Sequence, residues 1–319
     1  MTLAVEHMLT HPHEPLWTAL TAPWPWAGVG VATFILDEQA QGQPLQGFAQ
    51  LMKRASRPEA DLLHVAPAVL SPSRADPAEQ VWSHLLQHCS LAAATHGLQR
   101  IYAGAPEGCF EQTSLRQAGF CLYAREILYR LAEAPNASDT LVGLRPQHPR
   151  DSWSLQRLYA RGTPRLVQQA EGALDGEVGT PILSWWEPHE WEGFVWEPAG
   201  EVRGAVQVHR GRAGHWMRVL GAGELSAREV RLLIAQGLRR LESGRSAVQR
   251  RRLPVYVTVR EYDMNLSAAL VGFGFAPFAE RGRFVKHTAA VVRVADPLPA
   301  IARQRAVAHQ GAPEMTRHK

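Results

Sequence analysis

Cysteine is scarce in this sequence. Only Cys89, Cys109 and Cys121 occur among 319 residues, and their spacing matches neither paired disulfides nor a metal site. Small secreted domains depend on paired cysteines, so this odd and sparse number excludes that class. The sequence therefore predicts a protein of the cytoplasm, a reducing compartment, with no metal site.

Long apolar runs are also missing. The longest uncharged stretch, residues 15–36, is interrupted by Pro15, Pro23 and Pro25, which would break a membrane-spanning helix. The first residues include Glu6 and several histidines without a compact apolar core, unlike a signal peptide. We therefore expect no membrane association.

Lysine is as scarce as cysteine, with Lys53, Lys286 and Lys319, and the net charge of +4 comes from arginine. The densest basic run, Arg250, Arg251 and Arg252, has no aromatic side chains interleaved with it for stacking on bases. Nucleic-acid binding is therefore the weakest hypothesis for this chain.

An internal repeat is the main positive feature. LQGFAQ at 45–50 matches VRGAVQ at 202–207, ADLLHV at 60–65 matches GHWMRV at 214–219, and LRQAGF at 115–120 matches LVGFGF at 270–275. The three offsets are 157, 154 and 155 residues. Such a constant offset predicts two copies of one folding unit.

Each copy has the same predicted order of elements: three strands, a helix, a strand, a short helix ending in Gly-Phe, and a last strand. The first helix carries Val81 in one copy and Val230 in the other, and the last strands are predicted at 122–131 and 284–293. This order predicts an α+β fold with a mixed, mainly antiparallel sheet and helices on both faces. The predicted boundaries are 1–131 for the first copy, 132–140 for a linker, 141–296 for the second copy and 297–319 for a disordered tail.

The closing segments at 115–120 and 270–275 resemble the leucine-x-x-x-Gly-Phe turn of the GCN5-related N-acetyltransferase (GNAT) superfamily. The strand at 61–69, its loop and the helix at Val81 resemble the family's coenzyme-binding strand, pyrophosphate loop and helix. The resemblance covers about residues 31–131 and 141–293. It implies two tandem acyl-CoA N-acyltransferase domains, the first one truncated because only 46 residues precede Gly47.

The resemblance implies acetyl-CoA as co-substrate, held by backbone N–H groups at a helix N-terminus. The matching positions are Val65 and Arg74 in the first copy and Val219, Leu220, Gly221, Gly223 and Arg228 in the second. Neither loop, SPSRADPAE at 71–79 or GAGELSARE at 221–229, keeps the family's glycine pattern. Both carry helix-capping residues instead, Asp76 with Glu79 and Ser226 with Glu229, which compete with a phosphate for the same donors.

The family's catalytic tyrosine is replaced by Leu115 and Leu270. The substitutes nearest to the expected site are Tyr262 as a proton donor, with Glu261, Glu107 or His64 as a base. Each of these is also an ordinary surface or sheet residue. Near the expected acceptor site stand Trp185, Trp186 and Trp191, which favour either an apolar acceptor pocket or core packing.

Two functional hypotheses remain. In the first, the chain is an acetyl-CoA-dependent N-acetyltransferase that acts on the amine of a small molecule or peptide, with the second copy carrying the acceptor site. In the second, it is a non-catalytic scaffold or ligand-binding module whose coenzyme A sites have decayed, as the missing glycines and tyrosines favour. The acceptor and the formation of a homo-oligomer are left open.

Overall fold

Eleven strands form one continuous sheet in the described part of the chain. The computed structural model describes residues 3, 5–10, 31–40, 43–54, 57–68, 75–132, 142–172, 191–243 and 253–288. The strand order is β1-β2-β3-β4-β11-β5-β10-β9-β8-β7-β6. Two neighbouring pairs, β3 with β4 and β9 with β10, are parallel, and the other pairs are antiparallel.

The two copies supply the same order of elements from β1 to β5 and from β7 to β11, and they differ in the elements that precede these. The first copy consists of α1 (Val5–Thr10), β1 (Val31–Ala40), β2 (Gln43–Lys53), β3 (Glu59–Ala66), α2 (Ala75–Thr95), β4 (Arg100–Pro106), α3 (Phe110–Gln117) and β5 (Cys121–Leu131). The second consists of β6 (Leu144–Pro146), α4 (Ser152–Gly162), α5 (Arg165–Ala170), β7 (Trp191–Trp196), β8 (Gly204–Arg210), β9 (His215–Leu220), α6 (Ala227–Ser243), β10 (Val255–Arg260), α7 (Met264–Gly272) and β11 (Ala276–His287).

The last strand of each copy is inserted into the other copy. Strand β11 lies between β4 and β5, while β5 lies between β11 and β10. Glu126 and Arg281, which are equivalent at the repeat offset of 155, pair directly with each other in the β5–β11 ladder. This pairing places a pseudo-two-fold axis at the centre of the sheet and makes each copy dependent on the other for its hydrogen-bond ladder.

Two apolar cores lie on one face of the sheet. Helices α2 and α3 cover the first core, which includes Trp82, Leu86 and Leu115, and α6 and α7 cover the second, which includes Val230 and Leu270. The opposite face carries α1, α4 and α5, whose side chains Leu9, Leu155 and Ala170 pack on the strands in separate small clusters. Helices therefore occupy both faces, as the sequence predicts.

The last strand of the second copy differs from its prediction. It runs over Ala276–His287 and not over 284–293, because the left-handed Gly274 (φ 85°) returns the chain to the sheet at once. The predicted linker and tail lie mostly outside the described residues and stay predictions. Among the described residues, no helix is both long and apolar enough to cross a bilayer.

Candidate active site

The parallel strands β9 and β10 separate part of the way along their length. They pair only from His215 to Met217 on β9 and from Val255 to Val257 on β10. Beyond this point, the side of β9 that faces β10 has no partner strand among the described residues. Backbone groups that Val219 and Leu220 turn to this side can therefore contact a ligand.

A cleft opens where these strands part, and we call it the central cavity. Its empty volume is about 1040 Å³, counting the part open to solvent. Residues of the second copy form most of its wall, with contributions from β9, β10 and α4, and the first copy adds residues that include Arg54 and Tyr102.

The corresponding place in the first copy is filled. Strands β3 and β4 also pair over only three residues each, from Glu59 and from Arg100. However, the fully buried Trp82 donates a hydrogen bond to the Pro67 carbonyl (2.9 Å), and its ring packs edge-on against Phe110 at 5.6 Å. The two rings thus link the segments that follow the parting strands.

Buried charges fill the other face of the first copy's strand pair. Arg54 binds Asp61 through two hydrogen bonds of 2.7 Å and Glu59 through a third of 3.1 Å, and its guanidinium stacks on the Tyr102 ring at 4.0 Å. These groups satisfy one another, and Arg54 and Tyr102 also form part of the wall of the central cavity. The repeat has therefore diverged into one open and one filled site.

A second group of buried charges forms the floor of the central cavity, and we call it the central ionic cluster. It contains Glu6, Glu126, Glu171, Arg218, Arg260, Arg281 and Arg283. Arg260 joins its parts, because Nη2 binds Glu171 (2.8 Å) while Nε lies 3.3 Å from Glu126. Burial alone would raise the pKa of Glu171, but Arg260, Tyr159 and Arg283 together more than offset this effect and lower the pKa below its usual value.

Three titratable residues of the second copy line the cavity close to this cluster. Burial raises the pKa of Asp263, just beyond β10, to about 6, and Arg260 opposes that rise only in part. Burial also raises the pKa of Tyr262, whose hydroxyl is hydrogen-bonded to Thr163. Tyr159 donates a hydrogen bond of 2.6 Å to Glu171. A carboxyl that titrates near neutrality beside a neutral phenol can exchange protons with a substrate.

The loop between β9 and α6 keeps its cap. The Ser226 hydroxyl accepts a hydrogen bond from the Glu229 N–H (3.3 Å), and the Glu229 carboxylate accepts one from the Ser226 N–H (2.8 Å). This capping box is the one that the sequence predicts, and it occupies donors at the N-terminus of α6. In the first copy, α2 begins at Ala75, so Asp76 lies within its first turn and not at the cap.

Several predicted site residues meet at the central cavity. Tyr262 lies on its wall, and so do four predicted coenzyme-binding residues, Val219, Leu220, Gly221 and Gly223. Arg228 is exposed in the first turn of α6. The catalytic and binding roles of all these residues stay predictions.

Other predicted residues lie elsewhere. Glu261 and Glu107 both contact the exposed Arg125, at 3.8 and 2.7 Å, and neither lines the cavity. His64 is half-buried on β3, and Val65 is buried in the first core.

The predicted acceptor residues are divided in the same way. Trp191 on β7 lies under the Arg218 guanidinium at 5.3 Å, one layer behind the cavity wall. Arg74, Trp185 and Trp186 lie outside the described residues.

Sequence reasoning missed Asp263, Arg218 and Arg260 as cavity residues. One signal was available for two of them. Arg260 ends a β-branched strand that the sequence predicts to be central, and Asp263 follows shortly after it. Arg218 had no comparable signal, because an arginine between Met217 and Val219 is also typical of an exposed strand position.

Comparisons with known proteins bear on the fold alone. Neither the protein-family models nor the curated proteins include a match to this chain. Among solved structures, a tandem GNAT protein from the clavulanic acid biosynthesis pathway is 15% identical with a TM-score of 0.46, and the match covers 90% of this chain and 92% of that one.

Two further structures are similar. A GCN5-related N-acetyltransferase from Sphaerobacter thermophilus is 13% identical with a TM-score of 0.46, covering 85% of each chain. A Drosophila protein is 12% identical with a TM-score of 0.50, covering 82% of each chain. With its repeated strand order and two parting parallel pairs, the chain has the fold of the GCN5-related N-acetyltransferase superfamily, in two tandem copies.

Proposed function

We propose that the second copy transfers an acetyl group from acetyl-CoA to the amine of a small molecule or peptide. The observation that carries this proposal is the central cavity, which opens where β9 and β10 part and holds two titratable residues at its wall. The equivalent place in the first copy is filled by Trp82 and Phe110, so the first copy serves as a scaffold.

The residues of the second copy fit the acyl end of the co-substrate better than its pyrophosphate. The edge of β9 beyond its pairing with β10, at Val219 and Leu220, offers backbone groups to the thioester and the pantetheine arm. Gly223 leaves open space beside the cavity, because a Cβ at this position would meet no described atom within 4 Å. At the pyrophosphate end, the capping box occupies the Glu229 N–H, and Arg228 would supply positive charge. We therefore expect acetyl-CoA to bind at this site with modest affinity.

Proton transfers at the cavity wall complete the chemistry. Acetyl-CoA supplies a thioester carbonyl carbon, which the acceptor nitrogen attacks, so that a C–N bond forms and the C–S bond breaks. Asp263, with a pKa of about 6, is ionised at neutral pH and takes the proton that the amine must lose. Tyr262, whose pKa is raised by burial, keeps its proton until it is passed to the departing thiolate sulfur.

A second candidate function is a binding module without turnover. The capping box of α6 favours it, because Ser226 and Glu229 compete with a phosphate for helix N-terminal donors. Turnover separates the two functions. A cytoplasmic location belongs to either one and is supported by the three free cysteines.

Release of free thiol from acetyl-CoA in the presence of a panel of amines tests the proposal. The Tyr262→Phe change removes one hydroxyl with little change in volume, so we expect the folded state to persist and kcat to fall about a hundredfold or more. Tyr256→Phe is the matched control, because Tyr256 stands on the same β10 segment but does not line the cavity.

We expect the control to keep the wild-type rate. Amine-dependent thiol release that is equal in the wild-type protein and in Tyr262→Phe would remove Tyr262 from the mechanism. An absence of amine-dependent release with every amine would favour the binding module.

A further inference from the structure

The β10 wall of the central cavity carries two hydrogen-bonding groups that have no partner among the described residues. These are the Thr258 hydroxyl and Nη1 of Arg260, and both atoms are buried. Residues two apart on a strand point to the same face, and both side chains line the cavity. They form a short row of donors on one wall.

Arg260 is held in place by its other nitrogens. Nη2 binds Glu171 at 2.8 Å and Nε lies 3.3 Å from Glu126, so two carboxylates on different elements fix the guanidinium plane. The remaining Nη1 is therefore preorganised and not a mobile surface group. A buried cationic donor left without an acceptor is costly, so a site that keeps one is expected to receive an anion.

The charge balance around the cavity also favours an anion. The central ionic cluster holds four arginines and three glutamates, an excess of one positive charge. Asp263 offsets this excess only while it is ionised, and its role as a base removes its charge during the reaction. Burial, and then repulsion from Arg260, lowers the pKa of Arg218 to about 10, which a bound anion would reverse.

We propose that the acceptor is a small amino acid, whose carboxylate binds Nη1 of Arg260 and the Thr258 hydroxyl while its amine faces Asp263. Arg218, on the opposite wall at β9, adds positive charge. A carboxylate suits this row of donors because its two oxygens accept from neighbouring groups at once. This inference rests on the proposed function of the same cavity and specifies the class of its acceptor.

Paired acceptors test the inference directly. We would compare the twenty free amino acids with their C-terminal amides, which keep the amine and lose the negative charge. We expect kcat/KM for the preferred amino acid to exceed that of its amide about 10- to 100-fold, the usual effect of a hydrogen bond to a charged group. In Arg260→Met the ratio of the two kcat/KM values should fall to about one. This ratio within one variant is the readout, because losing the cation beside Glu126 and Glu171 also destabilises the fold and lowers both rates.

Two further variants separate binding from folding. Thr258→Val removes one hydroxyl at constant shape and should raise the KM of the acid alone, by about 5- to 10-fold. Arg161→Met is the matched arginine control, because Arg161 is an exposed residue of α4 that pairs with Glu201 and does not line the cavity. It should change neither KM.

A binding measurement keeps the inference testable if no amine is acetylated. Calorimetric titration would use N-acetylalanine and N-acetylalaninamide, which need no turnover. Binding of the acid alone, weakened about 5- to 10-fold in Thr258→Val and lost in Arg260→Met, would support the anion site even if the proposed transfer fails. Amine turnover with no preference for the acid, or equal binding of the acid and the amide, would overturn the inference while leaving the transferase function standing.

Discussion

Charged side chains occupy the middle of the sheet in this protein, at positions where apolar residues are usual. Glu126, Arg260, Arg281 and Arg283 all stand within strands and are held by ion pairs with one another and with Glu6. Removing one partner of such a pair leaves an uncompensated buried charge, which is strongly destabilising. Substitution of any one of these charged residues alone is therefore expected to destabilise the fold.

Tyr262 lies on the wall of the cavity, after a strand that the sequence predicts to be central, and its catalytic role stays a prediction. Its neighbour Asp263 could not be selected over Glu261 from sequence, because adjacent residues in a turn have no fixed orientation. The structure separates the two carboxyls: Asp263 lines the cavity, while Glu261 contacts Arg125 outside it.

The Asp263→Asn change should weaken catalysis and stabilise the fold at the same time. Burial raises the pKa of Asp263 from 3.8 to about 6, so the folded protein holds this proton more firmly than the unfolded chain does. Ionisation of Asp263 therefore lowers the free energy of unfolding. The full stability is present below about pH 4 and decreases as the pH rises through about 6. We expect the variant to melt roughly 2–4 °C higher than wild type at pH 7.5, with no gain at pH 4.

Amine-dependent turnover should fall in the same variant, and in wild type kcat/KM should decline below about pH 6 as Asp263 is protonated. Asp37→Asn is the control, since Asp37 is exposed on β1 and accepts a hydrogen bond from Gln46. A melting temperature that falls at pH 7.5, with turnover unchanged, would remove Asp263 from the role of base.

At the scale of elements, the order of strands and helices could be predicted because the repeat presents each pattern twice. The position of β11 could not be predicted, since its first half, APFAERGR at 276–283, has polar residues where a strand that packs one face on a core would be apolar. Arg281 and Arg283 belong to the central ionic cluster, and their burial is explained only by partners on other elements. The strand exchange has no sequence signal, because an exchanged strand and an unexchanged one present the same alternation.

Separating the copies tests the exchange. Strand β5 supplies Tyr129 and Leu131 to the second core and lies between β10 and β11, so a chain of residues 133–319 would lose the middle of its sheet. We expect residues 1–132 and 133–319, produced separately, to lack a cooperative melting transition as monomers and to form a 1:1 complex when mixed. Circular dichroism melts and light scattering would detect both effects.

The alternative outcome is equally clear. If residues 133–319 formed a monomer with a cooperative transition close to that of the full chain, each copy would be complete without the strand of the other.

In the whole molecule, the two copies have the same fold, and we propose different functions for them. In the first copy, Trp82 and Phe110 pack together where β3 and β4 separate. The second copy has Asn265 at the position equivalent to Phe110. Aromatic residues near a helix start are common in cores, so the sequence alone did not identify these two rings as a plug. The first copy still contributes to the second site, because Arg54 and Tyr102 form part of its wall.

Calorimetric titration of acetyl-CoA into the full chain, with and without Gly223→Trp, tests whether the second copy binds acetyl-CoA in the central cavity. Gly223 borders the cavity, has open space around it and lacks a positive φ, so an indole there should block the cleft without straining the backbone. Leu91→Trp, at an exposed position of α2, is the control for adding an indole to the surface. We predict one binding site per chain in the wild-type protein and in Leu91→Trp, and none in Gly223→Trp. Absence of binding to the wild-type protein, or binding that Gly223→Trp leaves unchanged, would contradict an acetyl-CoA site in the second copy.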